Sequence, residues 1–295
     1  MLRAIPLLLV ALAGCDRPLA PRDGGAAPQA IVSTNPCADA MLVELVPAAH
    51  IAAISHYSVQ AEASSMALAV ARRFATTAGT AEEVIGLHPD LVVTSSFTPP
   101  ATLAAYRRAG LKVLTLDSPS TIAASEAQIR TLATAVGASG PGEAMVSRIE
   151  SALSLSSVPR RRPGPNYATL VAGPRPSPGN NSEPTALLFI AGDLANGTGT
   201  LLDELMTRAG FRNAAADYGL RFTGTLPIET IAAHPPRVIF APDASRTAVL
   251  LTRVLARTGA NVVQATFPRK LVNCGGPSIV PALQRLAAIR QSLAS

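Results

Sequence analysis

Ala81-Glu82-Glu83-Val84-Ile85-Gly86-Leu87-His88-Pro89-Asp90-Leu91-Val92-Val93 is matched later in the chain by Ile228-Glu229-Thr230-Ile231-Ala232-Ala233-His234-Pro235-Pro236-Arg237-Val238-Ile239-Phe240. In both stretches a Glu stands seven residues before a Pro, and a β-branched apolar run follows that Pro. Proline disfavours helix in the residue before it, and a continuous apolar run suits a strand buried on both faces. Each copy therefore reads as helix, tight Pro turn and buried parallel strand. The rest of the chain repeats that alternation.

Strands are expected at 30–33, 51–54, 91–95 and 112–116, and again at 186–191, 238–241 and 261–263. Helical spacing marks 38–45, 81–87, 102–109, 119–136 and 143–155, then 200–209, 228–233, 247–257 and 278–293. Gly110 and Gly210 stand where two of these helices should stop. Strands alternating with helices predict an α/β fold of two similar lobes with mainly parallel sheets. Ligands bind such sheets at strand carboxyl ends and at domain interfaces, which predicts a cleft between the lobes. The stretch 158–184 is crowded with Pro, Gly, Asn, Ser and Arg; its apolar run 167–172 is either a strand of the second lobe or part of a long insertion.

The chain has 295 residues, a formal charge of +6, 48% hydrophobic residues and only 15% charged ones. That length suits two domains, and that composition excludes global disorder. No Trp and 4% aromatics argue against base-stacking platforms and Trp-lined sugar sites. The one dense basic cluster, Arg160-Arg161-Arg162, is bounded by Pro159 and Pro163 and reads as a solvated linker. Nucleic acid is not an expected partner, since such proteins gather their charge on one face.

At the N-terminus, Arg3 precedes an apolar run at 5–12, the length of a signal-peptide core and too short to span a bilayer. Leu12-Ala13-Gly14-Cys15 resembles a bacterial lipobox, which implies cleavage before Cys15 and acylation of its sulfur. Asp16 then implies retention at the inner membrane. The organisation expected is a lipoprotein signal peptide and lipobox at 1–15, a flexible tether at 16–29, a first lobe at 30–138, a connecting helix at 139–158 and a second lobe at 159–295, led in by the Pro/Gly-rich 159–184. With Cys15 lipidated, Cys37 and Cys274 remain. An exported pair can form a disulfide, stay as two free thiols or ligate a soft metal.

The order of these units resembles the periplasmic substrate-binding proteins of ABC importers for iron chelates and cobalamin. The residues that carry the likeness are 81–93, 228–240, Gly199-Thr200-Leu201-Leu202-Asp203-Glu204-Leu205 through Gly210-Phe211-Arg212-Asn213, and the opening around 31–39 and 51–55. The resemblance implies two lobes bridged by a single long α-helix, and a permease dimer with its ATPase as partner. It places a docking glutamate on each lobe, Glu82 and Glu229 by position, with Glu83 the rival on the first. The implied receptor is a monomer, lipid-anchored in the periplasm, with no cofactor. The segment 158–184 departs from the family by its length.

Loops after the strands supply the candidate ligand contacts: Asn35, His56, Tyr57, Ser95, Ser96 and Phe97 on the first lobe; Asn196, Thr198 and Asp243 on the second; and Arg269 further on. The small-residue loop 196–200 reads either as an anion-binding loop or as a turn and helix cap. His56 and Tyr57 suit a metal chelate, although a loop histidine without that duty is the simpler reading. No histidines have metal-ligand spacing, so a bare metal ion is not expected. The chain lacks G-x-S-x-G and H-E-x-x-H, so an enzyme is not expected. The function expected is capture of a ferric siderophore or cobalamin for import, with haem or an oxyanion behind. A sensor or assembly lipoprotein of the same fold is the alternative, and an exported hydrolase a more distant one.

Overall fold

The computed structural model describes residues 27–156, 183–191, 193–242, 246–257, 259 and 261–293. The proposed signal peptide with Cys15, most of the tether, nearly all of 159–184, and Asp243 lie outside the described residues.

The first lobe runs β1 (Ile31–Ser33), α1 (Pro36–Leu45), β2 (Ile51–Ser55), α2 (Leu68–Ala71), β3 (Thr76–Thr77), α3 (Ala81–Gly86), β4 (Leu91–Ser95), α4 (Pro100–Arg108), β5 (Val113–Leu116) and α5 (Ile122–Ala135). Its five strands pair in the order β3-β2-β1-β4-β5, all parallel. Ile31, Val32, Val92 and Val93 are fully buried, since helices cover both faces of the sheet. The 18-residue α6 (Ser139–Ser156) follows.

The second lobe runs β6 (Thr185–Ala191), β7 (Leu194–Asn196), α7 (Leu201–Arg208), β8 (Arg212–Asn213), β9 (Thr223–Thr225), α8 (Ile228–Ala233), β10 (Val238–Ala241), α9 (Arg246–Arg257), β11 (Val263–Thr266) and α10 (Ile279–Ser292). The strand order is β11-β10-β6-β7-β9, with β8 also on β6. β11, β10, β6 and β8 are parallel, whereas β7 and β9 turn back antiparallel. This antiparallel arm went unread in the sequence, because strands of three residues, Leu-Ala-Asn and Thr-Gly-Thr, are too short to show a period. The last strand also lies later than expected, at Val263–Thr266 rather than 261–263.

The repeated stretches are α3-turn-β4 and α8-turn-β10. Local rules set their ends. Thr80 caps α3 through the Glu83 N–H. Gly110 and Gly210 take φ of +75° and +79°, the left-handed conformation that stops a helix and strains any residue with a Cβ.

One apolar core unites the lobes. It takes Met41 and Leu42 of α1, Ile129 and Leu132 of α5, Met145 and Ile149 of α6, Leu205 of α7, and Leu283 and Leu286 of α10. Polar ties cross the same seam. The Ile122 N–H at the start of α5 donates to Glu204 Oε2 at 2.8 Å, where a carboxylate suits the positive helix end. The Gly276 N–H donates to Ser125 Oγ at 2.8 Å, and Asn273 Nδ2 to the Glu62 carbonyl at 3.0 Å. The chain thus returns from β11 to the first lobe before α10 closes the fold.

Candidate functional site

A cavity of about 430 Å³ opens between the lobes. From the first lobe, the carboxyl ends of parallel strands supply its wall: Asn35, Pro36 and Cys37 after β1, Ser95 and Phe97 after β4, and Leu116 to Ser120 after β5. From the second come Ile190 at the end of β6, Asn196 on β7, Gly199 to Leu202 at the start of α7, and Phe222 and Thr223 at β9. Val272 to Gly275, the returning segment, completes the lining. Parallel strands leave their carboxyl ends to loops, which brings the first sheet to the crevice, whereas the second lobe reaches it chiefly through its antiparallel arm and the start of α7.

The first-lobe wall is pinned at β1 and α1 by a helix cap and a disulfide. Asn35 Oδ1 accepts from the Cys37 N–H at 2.9 Å and the Ala38 N–H at 3.4 Å, capping α1 while its other face meets the cavity. Cys37 and Cys274 form a disulfide with their Cα atoms 5.3 Å apart. It clips the start of α1 to the returning segment, and both cysteines line the cavity.

Behind this wall lies Asp39, fully buried on α1. Its Oδ2 accepts from the Ser55 N–H at 2.9 Å and from Ser58 Oγ at 2.7 Å. Oδ1 has no hydrogen-bond partner. Burial pushes the carboxyl up to about 7, against the opposing pull of the Ser33 and Ser58 hydroxyls and the Ser55 N–H.

On the second lobe the 196–200 loop is bound up internally. Gly199 N–H donates to Asp203 Oδ2 at 2.9 Å, Thr198 N–H to the Leu220 carbonyl at 3.2 Å, and Thr200 Oγ1 to Asn196 Oδ1 at 3.0 Å. Asn213 Nδ2 joins in, donating to Asp203 Oδ1 at 2.9 Å and the Gly197 carbonyl at 3.2 Å. These contacts make the loop a turn and helix cap; its Gly199 amide already faces the Asp203 carboxylate and its Thr198 amide the Leu220 carbonyl, which disfavours an anion there.

Of the residues singled out in the sequence, Asn35, Ser95, Phe97 and Asn196 meet at this cavity. His56, Tyr57, Ser96, Thr198 and Arg269 are not among its lining residues. His56 Nδ1 is 3.2 Å from the Thr77 carbonyl, and its ring packs at 4.0 Å on that of Tyr57. Arg269 sits on a short helical turn, 269–271, before the returning segment. The segment 116–120 was missed, although the strand-end rule that found Ser95 applies to β5 as well. Phe222 carried no sequence signal, since its loop precedes a strand of only three residues.

Glu82 and Glu229 stand exposed in the first turns of α3 and α8. Glu83 is engaged elsewhere: its Oε2 accepts from Thr77 Oγ1 and the Ala78 N–H, both at 2.7 Å. Those bonds hold its carboxyl below the usual range. Among the described residues no three His, Cys, Asp or Glu side chains gather where they could share a metal ion.

Comparison with known proteins places this architecture. Residues 31–156 match the family model described as "Periplasmic binding protein". A comparison with curated proteins gives no match. Among solved structures, a periplasmic haem-binding protein from Roseiflexus sp. RS-1 superposes with a TM-score of 0.64 at 21% identity, covering 88% of this chain and 98% of that one. The vitamin B12 binding protein of Vibrio cholerae gives 0.65 at 15% identity, covering 91% and 99%. A possible iron-binding solute-binding protein from Staphylococcus epidermidis gives 0.68 at 14%, covering 92% and 100%. The first lobe and the helix that follows it thus resemble the periplasmic binding protein family, and over most of its length the chain has the fold of these haem, vitamin B12 and iron-type binding proteins.

Proposed function

We propose that this protein is a periplasmic solute receptor that captures a chelated metal or a tetrapyrrole between its lobes and delivers it to an ABC importer. The observation that carries this reading is the inter-lobe cavity between the strand-end loops of the first lobe and the antiparallel arm and α7 start of the second, with Phe97 on one wall and Phe222 on the other. Cobalamin, ferric siderophore and haem all fit this class, and the similar structures include binders of two of them. The sequence at Cys15 supports a lipid anchor at the inner membrane, which would hold the receptor near its permease. No catalytic role is assigned.

Glu82 and Glu229 are the proposed docking residues. They occupy equivalent first-turn positions in the two repeats, and a rim carboxylate meeting an arginine pocket fixes orientation and partner choice. The bonds of Glu83 to the 77–78 turn favour Glu82 over it on the first lobe.

Calorimetric titration of the protein from Asp16 onward with cyanocobalamin, haemin and ferrichrome tests the receptor reading. Saturable one-to-one binding below about 1 μM is expected for one of them, equivalent to about −8 kcal/mol. Silence with a folded protein refutes it. For docking, Glu82→Arg with Glu229→Arg should abolish uptake in cells while leaving that titration unchanged.

A further inference from the structure

Phe222 combines two features that a fold has no reason to keep together. Its φ is +60°, a left-handed conformation that is an outlier for a bulky side chain. The residue is 60% exposed, so burial does not offset that strain. The surroundings nevertheless enforce it. Phe222 N–H donates to the Thr198 carbonyl at 2.8 Å, and Thr198 bridges to Arg221. A Cβ on Gly197 would stand 1.8 Å from the Phe222 carbonyl oxygen, so only glycine admits this approach. Strain held in place at a cavity points to what the residue presents there.

The opposite lobe offers a counterpart. Phe97 is 80% exposed and lines the same cavity, on the turn after β4 that Thr98 N–H closes on the Ser95 carbonyl at 3.0 Å. Apolar Leu116, Ile190, Leu201 and Val272 line the same cavity. We propose that Phe97 and Phe222 are paired specificity-determining residues that stack on opposite faces of a flat, conjugated macrocycle, so that its ring faces rather than its central metal are recognised. This inference rests on the solute-receptor reading and narrows its ligand. An aromatic ring offers a flat ligand a quadrupole and a large apolar face, whereas a globular hydroxamate chelate presents no face for two rings to hold.

The test titrates full-length protein in detergent with metal-free protoporphyrin IX, haemin and ferrichrome, read by absorbance and by stoichiometry. Protoporphyrin IX and haemin should bind one-to-one with affinities within about threefold of each other, and ferrichrome should not bind. Phe97→Ala and Phe222→Ala should each weaken both macrocycles about tenfold, and Phe222→Tyr should keep them. Phe222→Gly separates the ring from the fold: it should raise the unfolding temperature, since glycine accepts the positive φ, while still weakening binding. Haemin binding without protoporphyrin IX overturns the inference, because the metal is then what is read. Ferrichrome binding that ignores both Phe substitutions overturns it while leaving the receptor reading intact; absence of binding by all three overturns both.

Discussion

Replacing Asp39 by Asn removes the one fully buried carboxyl of α1 while keeping an acceptor for the Ser55 N–H and the Ser58 hydroxyl. Burial raises that carboxyl from 3.8 to about 7 in the folded protein. At about 1.4 kcal/mol for each tenfold change in proton affinity, that rise corresponds to about 4 kcal/mol. The folded state holds the proton more tightly than the unfolded chain. The stability this provides is complete below about pH 4, falls between about pH 4 and pH 7, and is gone above the folded value. The parent minus Asp39→Asn difference in unfolding free energy should therefore shrink by about 3 kcal/mol between pH 4.5 and pH 8. Urea titrations followed by far-ultraviolet circular dichroism, with the disulfide intact, measure it at both pH values. Taking the difference between proteins cancels carboxyls such as Glu83, whose depressed value acts in the opposite direction. Parallel pH curves for the two proteins would refute the argument, for they would mean that Asp39 is solvated or charged in the fold.

Substituting both Cys37 and Cys274 by Ser opens a link across 237 residues, for which chain entropy gives about 5 kcal/mol at most. The thermal midpoint under non-reducing conditions should fall accordingly, and an unchanged midpoint would show that the seam of α1, α6 and α10 suffices alone. Gly197→Ala pushes a Cβ into the Phe222 carbonyl and should cost about 1–3 kcal/mol by denaturant unfolding, with the ligand affinity falling alongside. Tyr106→Phe deletes the bond from its hydroxyl to the Gly79 carbonyl, 2.7 Å long, from an otherwise buried ring; a loss of about 1 kcal/mol is expected from the same unfolding curves.

Much of the architecture was legible in the residues. The Glu-to-Pro units placed α3, β4, α8 and β10, because an apolar run bounded by Pro reports burial directly. The cavity was legible only as a rule about strand ends. That rule found Ser95, Phe97 and Asn196, yet it also nominated His56 and Tyr57, which stand outside the cavity lining and meet Thr77 and each other. β2 lies on the far side of β1 from β4 and β5, whose ends line the cavity with that of β1, and no local pattern encodes a strand's rank in a sheet.

The sequence by itself determined what depends on neighbours along the chain: the helix periods, the stops at Gly110 and Gly210, and two lobes of α/β alternation. Only the tertiary structure decided what depends on residues brought from afar. It chose the disulfide among the fates open to Cys37 and Cys274, buried Asp39 beneath Ser55 and Ser58, tied up Glu83 while leaving Glu82 exposed, and held Phe222 in a strained turn against Gly197. The division has a physical cause. Hydrophobic period and backbone propensity are properties of a short window, whereas burial, pairing and strain are set by contacts between segments that may lie more than 200 residues apart, as Cys37 and Cys274 do.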